Sequence, residues 1–252
     1  MFKKIFKGFS AIALAFSMQW VCAQELLVSA AASLSNAFRD VGQAFEQQNP
    51  GTKVVFNFAA SGVLLGQIEQ GAPVDVFASA DKATMDKAQK QDLLVDGTRF
   101  VFVENALVLI VPKGSKVPAK LEDLKQGDYG SIALGTPSSV PAGNYTKEVL
   151  DKEGLWADLE SKFVFGESVR QVLQYVSSNE VDAGFVYKTD AAVNDKDVDI
   201  ALTVQTLSPI TYPMAQIKTG EHPELAKKFM EFIESKQAQD ILAKYGFVAP
   251  KK

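Results

Sequence analysis

The sequence predicts an α/β protein of two lobes, each a mixed, mostly parallel sheet flanked by helices, joined by two hinge strands. Three observations carry this. Strand-like and helix-like stretches alternate almost throughout, a long apolar run breaks at Glu104–Asn105, and a late strand returns after a second α/β series. The chain has 252 residues, enough for two modest domains that each bury a core.

The first 23 residues read as an export leader. Lys3, Lys4 and Lys7 form a basic head, "FSAIALAFSMQWV" is an apolar core too short to span a membrane, and "VCA" puts small residues before a cleavage point. Cleavage after Ala23 is expected in preference to lipidation of Cys22, since "QWVC" lacks the small and branched residues of a lipidation site. The mature protein is then expected in the periplasm. Cleavage also removes the one cysteine. Loss of the three lysines takes the basic count from 26 to 23 against 30 acidic residues, a mature net charge of −7. That balance argues against nucleic acid or an anionic membrane as partner.

From residue 24 the elements follow in order. "ELLVSAA" reads as a buried strand, and "SLSNAFRDVGQAFEQQN" as a helix with Leu34, Ala37, Phe38, Val41, Ala44 and Phe45 on one stripe. Asn49, Pro50 and Gly51 stop it. "TKVVFNFA" is a second strand, "SGVLLGQIEQG" a short helix, "APVDVFASA" a third strand and "DKATMDKAQKQ" a polar surface helix. A βαβαβ order of this kind implies parallel strands with right-handed crossovers. "RFVFVENALVLIVPK" is too long for one ordinary strand and reads as two, or as one passing between domains. Beyond it come the strand "SIALG", helices from "PAGNYTKEVLDKEG" and "ESVRQVLQYVSSN", and the strand "DAGFVY". "ITYPMAQIK" is the returning strand, and "PELAKKFMEFIES" and "QAQDILAKYG" are closing helices. The expected division is a leader over 1–23, a first lobe from 24–104 plus 208–252, and a second inserted as 105–207. Two crossings leave a cleft at the carboxyl ends of the strands, where α/β proteins bind ligands.

Enzyme chemistry finds little support. The one histidine, His222, precedes a helix-starting proline and reads as an exposed residue near a helix start. One histidine without cysteine argues against a zinc site, and a Ser-His-Asp triad would have to use His222, which lies at no strand end. No G-x-S-x-G elbow, G-x-x-x-x-G-K-S/T loop or G-x-G-x-x-G loop is present. Asp75 and Asp81 are the one suggestive carboxylate pair, and each reads more simply as a turn or cap residue.

Four strand-to-helix junctions share a different character. "AAASLSN" offers Ser33 and Ser35 as cap candidates, "FAASGVL" offers Ser61 with Gly62, "SSVPAGNY" brings Ala142 and Gly143, and "FGESVRQ" brings Ser168 and Val169. A single serine at a helix start needs no ligand, because capping is worth about 1 kcal/mol by itself. Several helix starts aimed into one cleft form an anion site without lysine or arginine. Tyr187, ending "DAGFVY", could add a hydroxyl from the far wall. Donors without acceptors suit a small, fully ionised anion. A phosphate would bring a proton needing an acceptor.

With "AAASLSNAF", "GAPVDVFASAD", "VPAGNYTKEVL", "SVRQVL", "GFVYKTDA" and "YGF", the sequence resembles the periplasmic molybdate-binding proteins of ABC transporters along essentially the whole mature chain. The resemblance implies a two-lobed periplasmic binding protein fold of type II that closes on one molybdate or tungstate. It further implies delivery to a membrane permease driven by a cytoplasmic ATPase, with no catalysis. Molybdenum would be bound only as the oxyanion, with no cofactor, by a monomer. The family's oxyanion donors fall on Ser33, Ser61 and Tyr187 through hydroxyls and on Ala142 and Val169 through backbone N–H. The same fold serving another oxyanion such as sulfate is the nearer alternative. A serine hydrolase using Ser33 or Ser61 is a remote one, lacking a base.

Overall fold

A computed structural model describes residues 24–250. The expected leader, with Cys22, lies outside the described residues.

In chain order the first series is β1 (Gln24–Ala31), α1 (Ser35–Gln48), β2 (Thr52–Ala59), α2 (Ser61–Glu69), β3 (Val76–Ala78), α3 (Lys82–Lys90) and β4 (Phe100–Asn105). The second is β5 (Leu107–Pro112), β6 (Ile132–Gly135), α4 (Pro141–Lys152), α5 (Trp156–Leu159), β7 (Phe163–Gly166), α6 (Val169–Ser177), β8 (Ala183–Tyr187), α7 (Lys188–Val193) and β9 (Val198–Val204). The chain returns as β10 (Ile210–Gln216) and ends in α8 (Pro223–Glu234) and α9 (Lys236–Lys244).

These strands build two mixed five-stranded sheets, ordered β2-β1-β3-β10-β4 and β7-β6-β8-β5-β9. In the first, β2 and β3 run parallel to β1, and β10 runs antiparallel to β3 and β4. In the second, β7 and β8 run parallel to β6, and β5 runs antiparallel to β8 and β9. The long apolar run is two strands in different sheets, with Ala106 between them.

Burial follows the side-chain pattern. The apolar stripe of α1 is buried through Ala37, Phe38, Val41, Ala44 and Phe45. Phe38 meets Phe56, Phe102 and Phe229 with ring centroids 5.8–6.4 Å apart, and Phe45 meets Phe229 edge-on. Leu107–Val111 of β5 are wholly enclosed, as a central strand covered on both faces requires. Proline cannot donate to a ladder, so Pro213 in the interior strand β10 coincides with a register shift after Tyr212.

Several local expectations change. Neither Ser33 nor Ser35 caps a helix: the chain enters α1 through a 3-10 turn over Ala32–Leu34, which frees the Ser33 hydroxyl for a distant partner. Ser61 is the first residue inside α2, and the cap position is Ala60. Ser168 and Asp81 do cap, accepting from the amides of Gln171 and Thr84. Asp75 is no surface turn residue. Its buried carboxylate accepts the amides of Leu27 and His222, each at 2.8 Å. His222 is therefore half-buried against it, with Nδ1 3.7 Å away.

Candidate functional site

The first-series strands β1 and β2 end side by side, Ala31 opposite Ala59, and β6 and β7 likewise end with Gly135 opposite Gly166. From these four carboxyl ends the chain turns into the 3-10 turn of Ser33, α2, α4 and α6. Their amino ends converge on one space between the sheets. Close approach is built in at Gly143, where a Cβ would lie 1.9 Å from the Gly135 carbonyl oxygen. Only glycine lets α4 start so near β6.

All five expected residues line the resulting cavity, together with Ala80 among others. None of Ser33, Ser61, Ala142, Val169 and Tyr187 is more than 4 % exposed. Organic ligands usually occupy pockets of about 300–1,000 Å³, so this cavity, at about 10 Å³, has room only for a ligand of few atoms. No charged side chain lines it. Ser61, Ala142 and Val169 lie in the first turns of α2, α4 and α6, where an N–H has no intrahelical acceptor. Three helix amino ends add partial positive charge.

The hydroxyls have defined surroundings. Ser61 Oγ accepts the Ala80 amide at 3.0 Å, which leaves its proton for the cavity. Ser33 Oγ lies 2.9 Å from the Tyr212 hydroxyl. The Tyr187 hydroxyl makes only a long 3.5 Å contact with the Ala80 carbonyl and is free to turn inward. Burial pushes the phenols of Tyr187 and Tyr212 well above their ordinary value, so both remain protonated. Neither serine has a base as partner. Among the described residues no group of three or more His, Cys, Asp or Glu could hold a metal ion. A wider groove along the cleft edge, lined by Asp81, Asp86 and Glu148 with Lys82, has more acidic than basic side chains and is the poorer place for an anion.

Direct contacts bridge the sheets around the cavity. The Gly62 amide donates to the Ser139 carbonyl at 3.0 Å, and Arg170 Nη2 donates to the Ser33 carbonyl at 3.2 Å. Arg170 Nε also pairs with the fully buried Asp190 at 2.7 Å. Sequence reasoning did not single out Arg170, Asp190 or Tyr212 and read Asn105 only as a break in the apolar run, because their partners are remote in the chain.

Comparison with known proteins places these features in context. A family model of bacterial extracellular solute-binding proteins matches residues 26–248. A Bacillus subtilis protein described as an ABC transporter substrate-binding lipoprotein, YvgL, is 40 % identical, over 89 % of this chain and 86 % of its own. The molybdate-binding protein ModA of Haemophilus influenzae is 34 % identical over 98 % of this chain and 99 % of its own. Among solved structures, the periplasmic molybdate-binding protein of Azotobacter vinelandii superposes with a TM-score of 0.78 at 27 % identity, covering 90 % of this chain and all of that one.

Proposed function

The chain belongs to the bacterial extracellular solute-binding proteins, a family of binders and not of enzymes, and we propose that it is a receptor for molybdate and tungstate. It takes up the oxyanion in the periplasm, after removal of residues 1–23, and delivers it as a monomer to the permease of an ABC transporter powered by a cytoplasmic ATPase. Residues 24–104 plus 208–252 form one lobe and 105–207 the other. The crossings at Ala106 and at residues 205–209 let the two close on the ligand.

One observation carries this reading. Hydroxyls of Ser33, Ser61 and Tyr187 and first-turn amides of Ala142 and Val169 line one cavity with no acidic or basic side chain in its wall. A tetrahedral dianion offers only acceptors, and each such hydrogen bond is charge-assisted and strong in a dry site. Hydrogen phosphate carries a proton for which the lining has no carboxylate. Sulfate matches molybdate in charge and shape, so cavity size decides between them.

Calorimetric titration of the mature protein with molybdate, tungstate, sulfate and phosphate tests the assignment. Tight binding of the first two alone is expected. Comparable affinity for sulfate would overturn the selectivity, and absence of any oxyanion binding would overturn the receptor assignment.

A further inference from the structure

We propose that Asn105 and Tyr212 form a donor relay that holds the Ser33 hydroxyl as an obligatory hydrogen-bond donor to the bound oxyanion. Tyr212 is then a positioning residue for ligand specificity. The inference rests on the reading of Ser33 as an oxyanion ligand.

The polarity of the relay follows from one backbone amide. Ala106 N–H can only donate, and it donates to Asn105 Oδ1 at 2.9 Å. The Asn105 side chain is thereby oriented, with Nδ2 donating to Thr189 Oγ1 at 2.9 Å and to the Tyr212 hydroxyl oxygen at 3.2 Å. Tyr212 is completely buried. Its oxygen accepts from Asn105, and its own proton has Ser33 Oγ at 2.9 Å as acceptor. A buried hydroxyl that donated to nothing would forfeit a hydrogen bond, so the proton goes to Ser33. Ser33 Oγ has no further hydrogen-bond partner among the described residues, and its proton is left for the cavity.

Ser61 reaches the same polarity differently, since its oxygen accepts the Ala80 amide. Each serine oxygen thus already accepts one protein hydrogen bond, and its proton is the part left without a protein partner. An oxyanion carrying a proton would have to donate it to an oxygen that already accepts a protein hydrogen bond. The relay also spans the crossings: Asn105 ends β4, Tyr212 lies in β10, Ser33 precedes α1, and Thr189 lies in α7 beside the second sheet. Ser33 is correctly oriented when the two sheets stand in this arrangement.

Tyr212→Phe tests the relay. The ring keeps its neighbours Phe102, Tyr187 and Phe247, at centroid distances of 6.4, 5.7 and 5.5 Å, so the fold is expected to survive. Molybdate affinity is measured calorimetrically for the wild type, Tyr212→Phe, Ser33→Ala and the double variant, with phosphate affinity measured by competition and folding checked by circular dichroism. Tyr212→Phe is expected to weaken molybdate binding about three- to tenfold, as loss of one neutral hydrogen bond does. It should change binding less than about twofold where Ser33 is already alanine, as coupled partners do. The molybdate-to-phosphate affinity ratio should narrow, because the Ser33 oxygen no longer accepts from Tyr212 and its hydroxyl can turn to accept from a protonated ligand. Asn105→Leu, which removes the donor fixing Tyr212, should move the ratio the same way and serves if Tyr212→Phe does not fold. An equal loss with and without Ser33, or an unchanged ratio, overturns the relay while Ser33 remains a ligand. If Ser33→Ala itself binds molybdate normally, the reading of Ser33 fails and the relay fails with it.

Discussion

Gly62 sits in the first turn of α2, where its amide donates to the Ser139 carbonyl across the cleft at 3.0 Å. A Cβ added there would lie 2.7 Å from the Ser139 oxygen and 2.9 Å from its Cα, both backbone atoms that cannot swing aside. Gly62→Ala therefore obstructs the observed approach of the two sheets. The loss combines one interlobe hydrogen bond with overpacking, together about 2–3 kcal/mol. That corresponds to molybdate affinity lower by roughly thirty- to a hundred-and-fiftyfold. Folding moves the other way. With the lobes apart nothing opposes the methyl group, and alanine in a helix gains about 0.5–1 kcal/mol over glycine. The assay pairs calorimetric titration with thermal unfolding of the ligand-free protein, and adds small-angle scattering at saturating molybdate. Weakened binding, an unchanged or raised unfolding midpoint and a larger liganded radius of gyration are expected. Wild-type affinity and radius in Gly62→Ala would refute the closure argument.

Two further outcomes follow from the site. Ser61→Ala leaves the Ala80 amide without its acceptor and removes one donor from the cavity, so molybdate binding should weaken by about 1–3 kcal/mol in calorimetry; full affinity would show that Ser61 does not touch the ligand. Burial pushes the Asp190 carboxyl up to about 6, against the opposing pull of Arg170. Its ordinary value is 3.8, so as pH rises from about 4 to 6 the unfolded chain ionises there before the folded one. The contribution of Asp190 is thus present in full below about pH 4 and lost as pH rises through 6. The unfolding midpoint of the wild type relative to Asp190→Asn should fall over that range, and a pH-independent difference would contradict the raised carboxyl.

Legibility in the sequence tracked how local each signal is. The α1 stripe and the β5 run were readable because burial imposes a period on adjacent residues. β7 and β9 were not singled out: "FVFG" is four residues long, and β9 is only partly covered along most of its length. The cap reading of Ser33 failed because a 3-10 entry shifts the helix start past it, a backbone choice that serine content does not announce. The five cavity residues stood among the strand-to-helix junctions and the end of "DAGFVY", the resemblance selected them from that set, and the fold brings all five to one space. Their supports stayed hidden, since Ser33 and Tyr212 are 179 residues apart and no periodicity connects them.

The central claim is a place as much as a ligand. A crystal structure of the mature protein grown with molybdate, recorded at a wavelength where molybdenum scatters anomalously, tests it most directly. A single strong anomalous peak is expected between the amino ends of α2, α4 and α6, within hydrogen-bond reach of Ser33, Ser61, Ala142, Val169 and Tyr187. A peak in the acidic groove beside Asp81 and Glu148, or no bound molybdenum, would contradict the account.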